Sequence, residues 1–415
     1  MRFIYTSIFY LIVPILLLRL LWRGIKAPAY WQRWLERFGF FSVLPVKNCL
    51  WIHAVSMGEV QAAVSMIQAL QIKFPNYPIL LTTMTPTGSQ RVKKIFGNEI
   101  WHVYLPYDLP GAISRFLLRT KPSILILMET ELWPNLLHAC QNIPIVLANG
   151  RLSANSAKNY KYIAKSTQQM LANITTIAAQ TKADANRFIQ LGADYNKVQV
   201  TGSIKFDTSL PIFEDGLRQQ WGLNRKVWIA ASTHAGEEEI ILKIFRKLKL
   251  EFKDLLLVLV PRHPERFNQV TKLCKQHGFN TVRRTKNNVD ADIEIYLVDT
   301  MGELAMLYTT ADIAFVGGSL VPIGCHNLLE PAIVGIPVIM GSYVFECAEI
   351  CRELLEAKAA NKITDSEQLY QTVKLYLNNP KFAQEVGKNG QLFVQKNKGA
   401  LQRLLNIIYP LILDK

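Results

Sequence analysis

The chain has 415 residues, half of them apolar, which is enough for two or three domains that each bury a hydrophobic core. Intrinsic disorder is therefore excluded as the main state of the chain. Lysine and arginine number 47 against 32 aspartate and glutamate, and the net charge of +15 predicts an anionic partner: a nucleic acid, an anionic membrane or an acidic substrate.

The first predicted element is an apolar helix over residues 3–22, in which Arg19 carries the one charge. Twenty helical residues extend about 30 Å, the thickness of one bilayer core. Pro14 would bend this helix, and Arg19 lies near enough to its end to reach the headgroups. A spanning helix and a tilted interfacial helix therefore both fit the pattern.

A cleaved signal peptide is the alternative for this segment, because Ala27-Pro28-Ala29 formally matches a cleavage site. However, basic residues crowd the region that should be neutral before cleavage: Arg19, Arg23 and Lys26. We therefore expect residues 1–30 to form an uncleaved membrane anchor with a basic flank. The basic excess after the apolar run predicts that the rest of the chain stays in the cytoplasm.

From residue 49 onwards, short apolar runs alternate with helical stretches. The first set of candidate strands is 49–55, 78–84, 123–129, 143–149, 175–180 and 197–202. The second set is 227–232, 254–260, 293–298, 312–318 and 336–340. Such alternation is typical of parallel sheets covered on both faces, so we predict an α/β fold with two doubly wound domains.

The predicted domains comprise residues 31–210 and 211–395, with a linker at about 205–225. Residues 396–415 form a last helix that either packs locally or returns to the first domain. The sequence contains neither GxGxxG nor GxxxxGK[ST], which removes the main support for dinucleotide or P-loop binding. Its six cysteines lack CxxC or zinc spacing, so we expect reduced, mostly structural thiols.

Polar residues follow the strands of the first domain. Glu59 comes after the first strand, where its carboxylate is either a general base or a first-turn residue that complements the helix dipole. Glu129 and Glu131 follow the third strand, where one acid can cap the next helix while the other faces a substrate. Lys205 follows the last strand, where a lone lysine is usually solvated. Because the carboxyl ends of parallel strands share one edge, these residues are candidates for one site.

The second domain has its own group of polar residues at strand ends. His234 follows the first strand, and Arg262, which suits a phosphate, follows the next between two prolines. A glycine-rich turn then leads to a predicted helix near Asn327, whose free N–H groups would bind an anion, with Glu330 one turn further. Capping by Asn327 is the structural alternative. Together these residues predict a nucleotide site.

Seven motifs, in this order behind an apolar helix, closely resemble the 3-deoxy-D-manno-octulosonic acid (Kdo) transferases of lipopolysaccharide synthesis. They are HAVSMGEV (53–60), METELWPN (128–135), GSIKFD (202–207), ASTHAGEE (231–238), VPRHPERF (260–267), DTMGEL (299–304) and HNLLEPA (326–332). The sequence departs from the family pattern at Cys325, where the family has glycine. This departure concerns the loop that precedes His326.

The resemblance implies a GT-B fold, in which two Rossmann-like domains face a cleft, and an inverting glycosyltransferase that needs neither a metal nor a cofactor. The implied reaction moves Kdo from CMP-Kdo to the lipid A precursor, lipid IVA, at the cytoplasmic face of the anionic inner membrane. Residues 31–210 would bind the acceptor. Glu59 would be the proton acceptor, and Glu129 and Lys205 the transition-state stabilisers, with Glu129 preferred over Glu131.

Residues 211–395 would bind CMP-Kdo. The implied contacts of CMP are Pro261, Arg262, Met301, Gly302, Glu303, Asn327, Leu328, Leu329 and Glu330. Two alternatives remain open: another membrane-anchored GT-B enzyme with a nucleotide-sugar donor and a lipid acceptor, or a lipid-binding module without activity. No sequence motif supports a nucleic acid partner.

Overall fold

The computed structural model describes residues 2–43, 48–207, 215–222, 225–286, 292–345 and 347–413. The chain divides into two compact units. The first unit comprises Met1–Asp207 and Lys398–Lys415, and the second comprises Thr208–Asn397.

The first unit begins with helix α1 (Arg2–Lys26), which is long and apolar enough to cross a membrane. One face of α1 packs on the unit, where Phe9, Val13, Leu16 and Leu20 join a cluster with Tyr107. A second stripe at helical spacing is apolar and exposed: Ile4, Ile8, Leu11, Ile15, Leu18 and Trp22. The helix is therefore apolar on two faces, of which the protein covers one.

The first unit contains a parallel sheet of seven strands in the order β3-β2-β1-β4-β5-β6-β7. Its strands are β1 (Cys49–His53), β2 (Ile79–Thr83), β3 (Trp101–Tyr104), β4 (Pro122–Met128), β5 (Ile145–Gly150), β6 (Thr176–Ala179) and β7 (Val198–Val200). Its helices after α1 are α2 (Met57–Lys73), α3 (Pro86–Phe96), α4 (Pro110–Thr120), α5 (Pro134–Ala139), α6 (Ala154–Tyr162), α7 (Ala164–Ala172) and α8 (Lys182–Gln190).

The second unit has the same kind of sheet, in the order β10-β11-β9-β8-β12-β13-β14. Its strands are β8 (Val227–Thr233), β9 (Leu256–Pro261), β10 (Thr281–Arg283), β11 (Ile295–Leu297), β12 (Ile313–Val316), β13 (Val338–Met340) and β14 (Ala360–Lys362). Its helices are α9 (Asp215–Trp221), α10 (Glu237–Glu251), α11 (Phe267–Gln276), α12 (Leu304–Tyr308), α13 (Leu329–Val334), α14 (Ala348–Glu356), α15 (Ser366–Asn378) and α16 (Pro380–Asn397).

The last helix, α17 (Ala400–Leu413), packs in the first unit, where Leu404 and Ile408 belong to the same core cluster as Leu50 of β1. The Asp207 carboxylate accepts hydrogen bonds of 2.6 Å from the backbone N–H groups of Gly399 and Leu401 at the start of this helix. One acidic side chain thus satisfies two donors that a helix start leaves unpaired.

The two sheets confirm the predicted α/β fold, and each of the eleven predicted strands corresponds to an observed strand. Three strands were not predicted: β3, β10 and β14. All three lie at sheet edges and are only partly buried, so they lack the continuous apolar pattern of the central strands. The predicted linker at 205–225 is partly wrong, because α9 lies within it and buries Leu217 and Trp221 in the second unit.

The order of strands defines one crevice in each sheet. The chain runs from β1 outwards to β3 and then returns to β4 on the other side of β1. It makes the same reversal at β8 and β12. Ligands of doubly wound folds bind outside the carboxyl ends of the strands at such a reversal.

Candidate active site

Glu59 lies at the first crevice, in the first turn of α2 after β1. Its backbone N–H donates to the Ser56 Oγ, which caps the helix. The carboxylate turns back to accept hydrogen bonds from the Val55 N–H (2.8 Å) and the Ser56 hydroxyl (3.0 Å). This arrangement is close to a capping box, so the helix start fixes the direction of the carboxylate.

Burial and charge alter the proton affinity of this carboxylate. Burial raises the pKa of Glu59, and the charge of Glu129 raises it further, although the hydrogen bonds from Val55 and Ser56 oppose the rise. A carboxylate with a raised pKa accepts a proton more readily than an exposed one. Glu59 therefore lies at the first crevice with a raised pKa.

Glu129 follows β4 directly and has a left-handed backbone with φ of 58°. Few residues with a side chain adopt this conformation, and such strain often marks a functional site. The Glu129 N–H donates to the Ala148 carbonyl of β5 (2.9 Å), which holds the turn. The Glu129 Oε1 lies 3.7 Å from the Lys205 Nζ.

Lys205 is placed by a residue that sequence reasoning missed. Asn149, in β5, is buried and also left-handed, with φ of 55°. Its side-chain oxygen accepts a hydrogen bond from the Ile204 N–H (3.2 Å), at the turn that carries Lys205. The sequence feature that could have indicated this role is an asparagine near the end of a buried strand, because asparagine adopts the left-handed backbone more readily than most residues.

Glu131 makes a different contact from Glu129. Its Oε2 accepts a hydrogen bond of 2.7 Å from the Trp133 indole. Burial raises the pKa of Glu131 to about 7, and the charges of Glu59 and Glu129 add to the rise, while the Trp133 hydrogen bond opposes it. The three carboxylates therefore interact electrostatically, and the structure brings together all four predicted residues of the first domain.

The second crevice is built around a buried acid at the start of α10. The Glu237 carboxylate accepts three backbone N–H groups: Gly318 (2.8 Å), Leu320 (3.0 Å) and His234 (2.9 Å). These bonds join the turn after β8 to the glycine-rich loop after β12. Sequence reasoning did not identify this role of Glu237.

Three histidines meet at this crevice. The Nε2 atoms of His234 and His326 are 2.8 Å apart, so one ring donates to the other, and His263 packs edge-on against His234. Burial lowers the pKa of His326 to about 4, and the charges of Arg262, His234 and His263 lower it further. Burial also lowers the pKa of His234, and the charges of His263, Arg262 and Arg266 lower it further.

Arg262 lies close enough to the second crevice to act electrostatically on its titratable side chains. Its backbone N–H donates to the Thr233 carbonyl at the end of β8 (3.0 Å). Its positive charge acts on His234, His326 and Glu330. A guanidinium beside imidazoles of lowered pKa suits an anion such as a phosphate.

The segment around Asn327 differs from the expected open helix start. Helix α13 begins at Leu329, and the Asn327 Oδ1 accepts the Leu329 N–H (3.1 Å), while its Nδ2 donates to Glu330 (3.0 Å). Leu328 is the N-cap residue, and Asn327, which precedes it, satisfies one N–H group of the helix start, close to the capping role that was the structural alternative. The side chains of Leu328 and Leu329 are buried, so only their backbone can contact a ligand.

The Met301-Gly302-Glu303 turn precedes α12. Met301 is half exposed, and Gly302 has a left-handed backbone with open space where a side chain would be. The Arg284 guanidinium lies 3.3 Å from the Glu303 carboxylate. The turn is therefore accessible at Met301 and Gly302, and an ion pair fixes its third residue.

Two cysteines correct the expectation of reduced thiols. Cys325 and Cys347 form a disulfide, with Cα atoms 6.1 Å apart. The loops after β12 and β13 meet here, because the Ser319 Oγ accepts the Gly341 N–H (2.8 Å). The two cysteines are 22 residues apart in different loops, so the sequence did not indicate that they pair. The other four cysteines are free and buried.

No group of three or more histidine, cysteine, aspartate or glutamate side chains within the described ranges is arranged to hold a metal ion. Each unit has its own group of candidate side chains. The first unit contains carboxylates and a lysine at the end of β4 and the start of α2, and the second contains an arginine and histidines beside a glycine-rich loop.

Comparisons with known proteins give consistent results. A family model described as 3-deoxy-D-manno-octulosonic-acid transferase (kdotransferase) matches residues 32–208. The chain is 44% identical to a 3-deoxy-D-manno-octulosonic acid transferase of Haemophilus influenzae, over 99% of this chain and 98% of the relative. A transferase of the same name from Bordetella pertussis is 32% identical over 98% of each chain.

The fold of this chain also resembles that of a protein of known structure. A glycosyltransferase from Rickettsia africae superimposes with a TM-score of 0.54 at 14% identity, over 89% of this chain and all of that one. This likeness concerns the fold alone, and it agrees with the GT-B arrangement expected from the sequence.

Proposed function

The chain belongs to the Kdo transferase family and is a glycosyltransferase, and we propose that it transfers Kdo from CMP-Kdo to lipid IVA with inversion and without a metal ion. The observation that carries this proposal is the cluster of Glu59, Glu129 and Lys205 where β1 and β4 end. A base and a stabilising ion pair are the groups that a direct displacement requires.

In the proposed step, a hydroxyl oxygen of the acceptor attacks the anomeric carbon of Kdo. The hydroxyl proton passes to Glu59, and the bond between the anomeric carbon and the phosphate oxygen breaks. CMP then leaves as a phosphate monoester. The raised pKa of Glu59 supports its role as the proton acceptor.

Glu129 and Lys205 are proposed to stabilise the charges of the transition state. The Glu129 carboxylate would favour positive charge on the sugar ring, while Lys205 orients that carboxylate. Glu131 is a weaker candidate for this role, because its carboxylate is bonded to Trp133. Preorganised charges of this kind cost no rearrangement during the reaction.

The second unit is proposed to bind CMP-Kdo through the donor residues named above. Arg262 would neutralise the charge that grows on the leaving phosphate, so the leaving group does not require a divalent ion. Met301 and Gly302 offer an exposed surface, and Leu328 and Leu329 would act through their backbone. We assign residues 31–210 to the acceptor and 211–395 to the donor.

We further propose that α1 attaches the enzyme to the cytoplasmic face of the inner membrane. The exposed apolar stripe of α1 supports a membrane contact, and Arg19 lies near its end while Arg23 directly follows it. Each basic residue near an anionic surface adds about 1 kcal/mol of attraction. The same charges would attract an anionic lipid acceptor.

The test is a transfer assay on the purified full chain with lipid IVA and a panel of donors. We expect transfer from CMP-Kdo, none from UDP-sugars, and undiminished transfer in a chelator. Inversion is checked from the anomeric configuration of the product. Transfer from a UDP-sugar but not from CMP-Kdo would overturn the proposal.

A further inference from the structure

A cavity of about 520 Å³ lies in the first unit between α1, the loop after β4 and the α6–α7 pair. Its volume is in the range of about 300–1,000 Å³ that is typical of small-molecule sites. Apolar and aromatic side chains dominate its wall, among them Ile8, Trp133, Tyr160, Ile163 and Met170. The cavity therefore suits a hydrocarbon ligand.

One side of the cavity is continuous with the exposed stripe of α1. Ile4 and Ile8 line the cavity, and they are also 58% and 50% exposed. Leu11, Ile15 and Leu18 continue the same stripe along the helix. An apolar ligand that enters the cavity from a bilayer can thus remain in contact with apolar side chains.

Another part of the cavity wall is polar and lies near the proposed catalytic groups. Thr130 and Glu131 line it, and the negative charges of Glu59 and Glu129 act on Glu131. The Trp133 indole holds the Glu131 carboxylate through a hydrogen bond of 2.7 Å. The cavity consequently links a membrane-facing surface to the candidate active site, and the proposed mechanism does not use it.

We propose that this cavity receives one fatty acyl chain of the lipid acceptor, with the chain lying between α1 and α7 and its attached sugar near Glu131. The inference rests on the proposed function, because it concerns the acceptor of that reaction. We assign the chain to the acceptor and not to a bilayer phospholipid. A phospholipid would place its phosphate near Glu131, where three carboxylates repel an anion, whereas the sugar of the acceptor can place a hydroxyl group there and keep its own anionic groups away from the carboxylates.

The variants for the test lie on α7. Ser166 lines the cavity and is partly exposed, so tryptophan there fills the cavity without replacing a core side chain. Gln169 is exposed on the same helix and is not among the residues that line the cavity. Gln169→Trp is therefore the matched control for Ser166→Trp.

The probe is lipid IVA with a diazirine at the end of one acyl chain, added to the full chain in nanodiscs and activated by light. We expect adducts on residues 163–170 in the unsubstituted protein and in Gln169→Trp. Each buried methylene adds about fourfold to affinity, so excluding two or more reduces these adducts at least about tenfold in Ser166→Trp. A phospholipid that carries the same diazirine chain should label the segment much less.

Adducts that avoid residues 163–170, or that are equally abundant in Ser166→Trp, would overturn the cavity assignment. Equal labelling by the phospholipid would overturn the choice of the acceptor as the source of the chain. Kdo transfer is measured on the same preparations. Its absence from the unsubstituted protein rejects the proposed function, whatever the labelling shows.

Discussion

The Lys205 ammonium lies 3.7 Å from the Glu129 carboxylate, although these residues follow different strands of the first sheet. Two left-handed residues, Glu129 and Asn149, make this approach possible. Asn149 fixes the Ile204 N–H, and through it the turn that carries Lys205. The Glu129–Lys205 ion pair therefore depends on the backbone conformation at the ends of β4 and β5 as well as on the two side chains.

The Glu129–Lys205 pair should matter more for catalysis than for stability. Both side chains are partly exposed, at 28% and 38%, and such pairs contribute about 0–1 kcal/mol to folding. We expect Glu129→Gln and Lys205→Ala each to reduce kcat strongly, while the double variant is little worse than either. A double-mutant cycle on kcat, with thermal unfolding alongside, measures this. Independent, additive effects would show that the residues do not act as a unit.

Arg262→Ala should weaken the binding of CMP. Loss of one charged hydrogen bond costs about 1.5–3 kcal/mol, which corresponds to about 10- to 150-fold in Kd. Titration calorimetry with CMP measures the change, and Lys272→Ala, an exposed substitution on α11, is the control. If CMP binds Arg262→Ala as well as the unsubstituted chain, Arg262 does not contact the nucleotide.

The stability of the second unit should fall as the pH decreases from about 6.5 to about 4. Burial and positive neighbours lower the folded-state pKa of His326 to about 4, so in this window the unfolded chain binds a proton that the folded chain does not. The stabilisation is therefore present above the ordinary histidine pKa and is lost on acidification. Denaturant unfolding between pH 4 and 7 should show a shallower slope for His326→Gln. An identical slope in both proteins would contradict this explanation.

The exposed stripe of α1 should be needed for membrane attachment. Replacement of Leu11, Ile15 and Leu18 by glutamine leaves the body-facing stripe intact, so we expect release from membranes with an unchanged melting temperature. Flotation with anionic vesicles measures attachment. Continued tight binding would show that another surface holds the protein on the membrane.

The sequence predicts the central strands well, because burial on both faces leaves nearly continuous apolar runs such as Ile124–Met128 in β4. It predicts only β7 among the four edge strands and misses β3, β10 and β14. In β10 every side chain is only partly buried, and in β14 burial varies along three residues. Such short segments acquire their conformation from pairing with a neighbouring strand, which no local pattern reveals.

Some of the site residues can likewise be predicted from the sequence and others cannot. Glu129 and Arg262 stand directly after apolar strands, and Glu59 lies in the first turn of the helix that follows one, so position and residue type identify them as candidates. The role of Glu237 depends on contacts with Gly318 and Leu320, which are distant in sequence. The Cys325–Cys347 disulfide and the Asn149 contact also depend on how separate loops meet, and the sequence alone does not indicate that.

The central claim is that Glu59 removes the proton of the acceptor hydroxyl, and Glu59→Gln tests it most directly. Glutamine keeps the shape of the side chain but cannot accept the proton, so the transfer rate from CMP-Kdo to lipid IVA should fall about 10²- to 10⁴-fold. CMP affinity, measured by calorimetry, should stay unchanged, and Glu99→Gln, an exposed substitution in the same unit, should retain full activity. Transfer by Glu59→Gln at the rate of the unsubstituted enzyme would contradict the account.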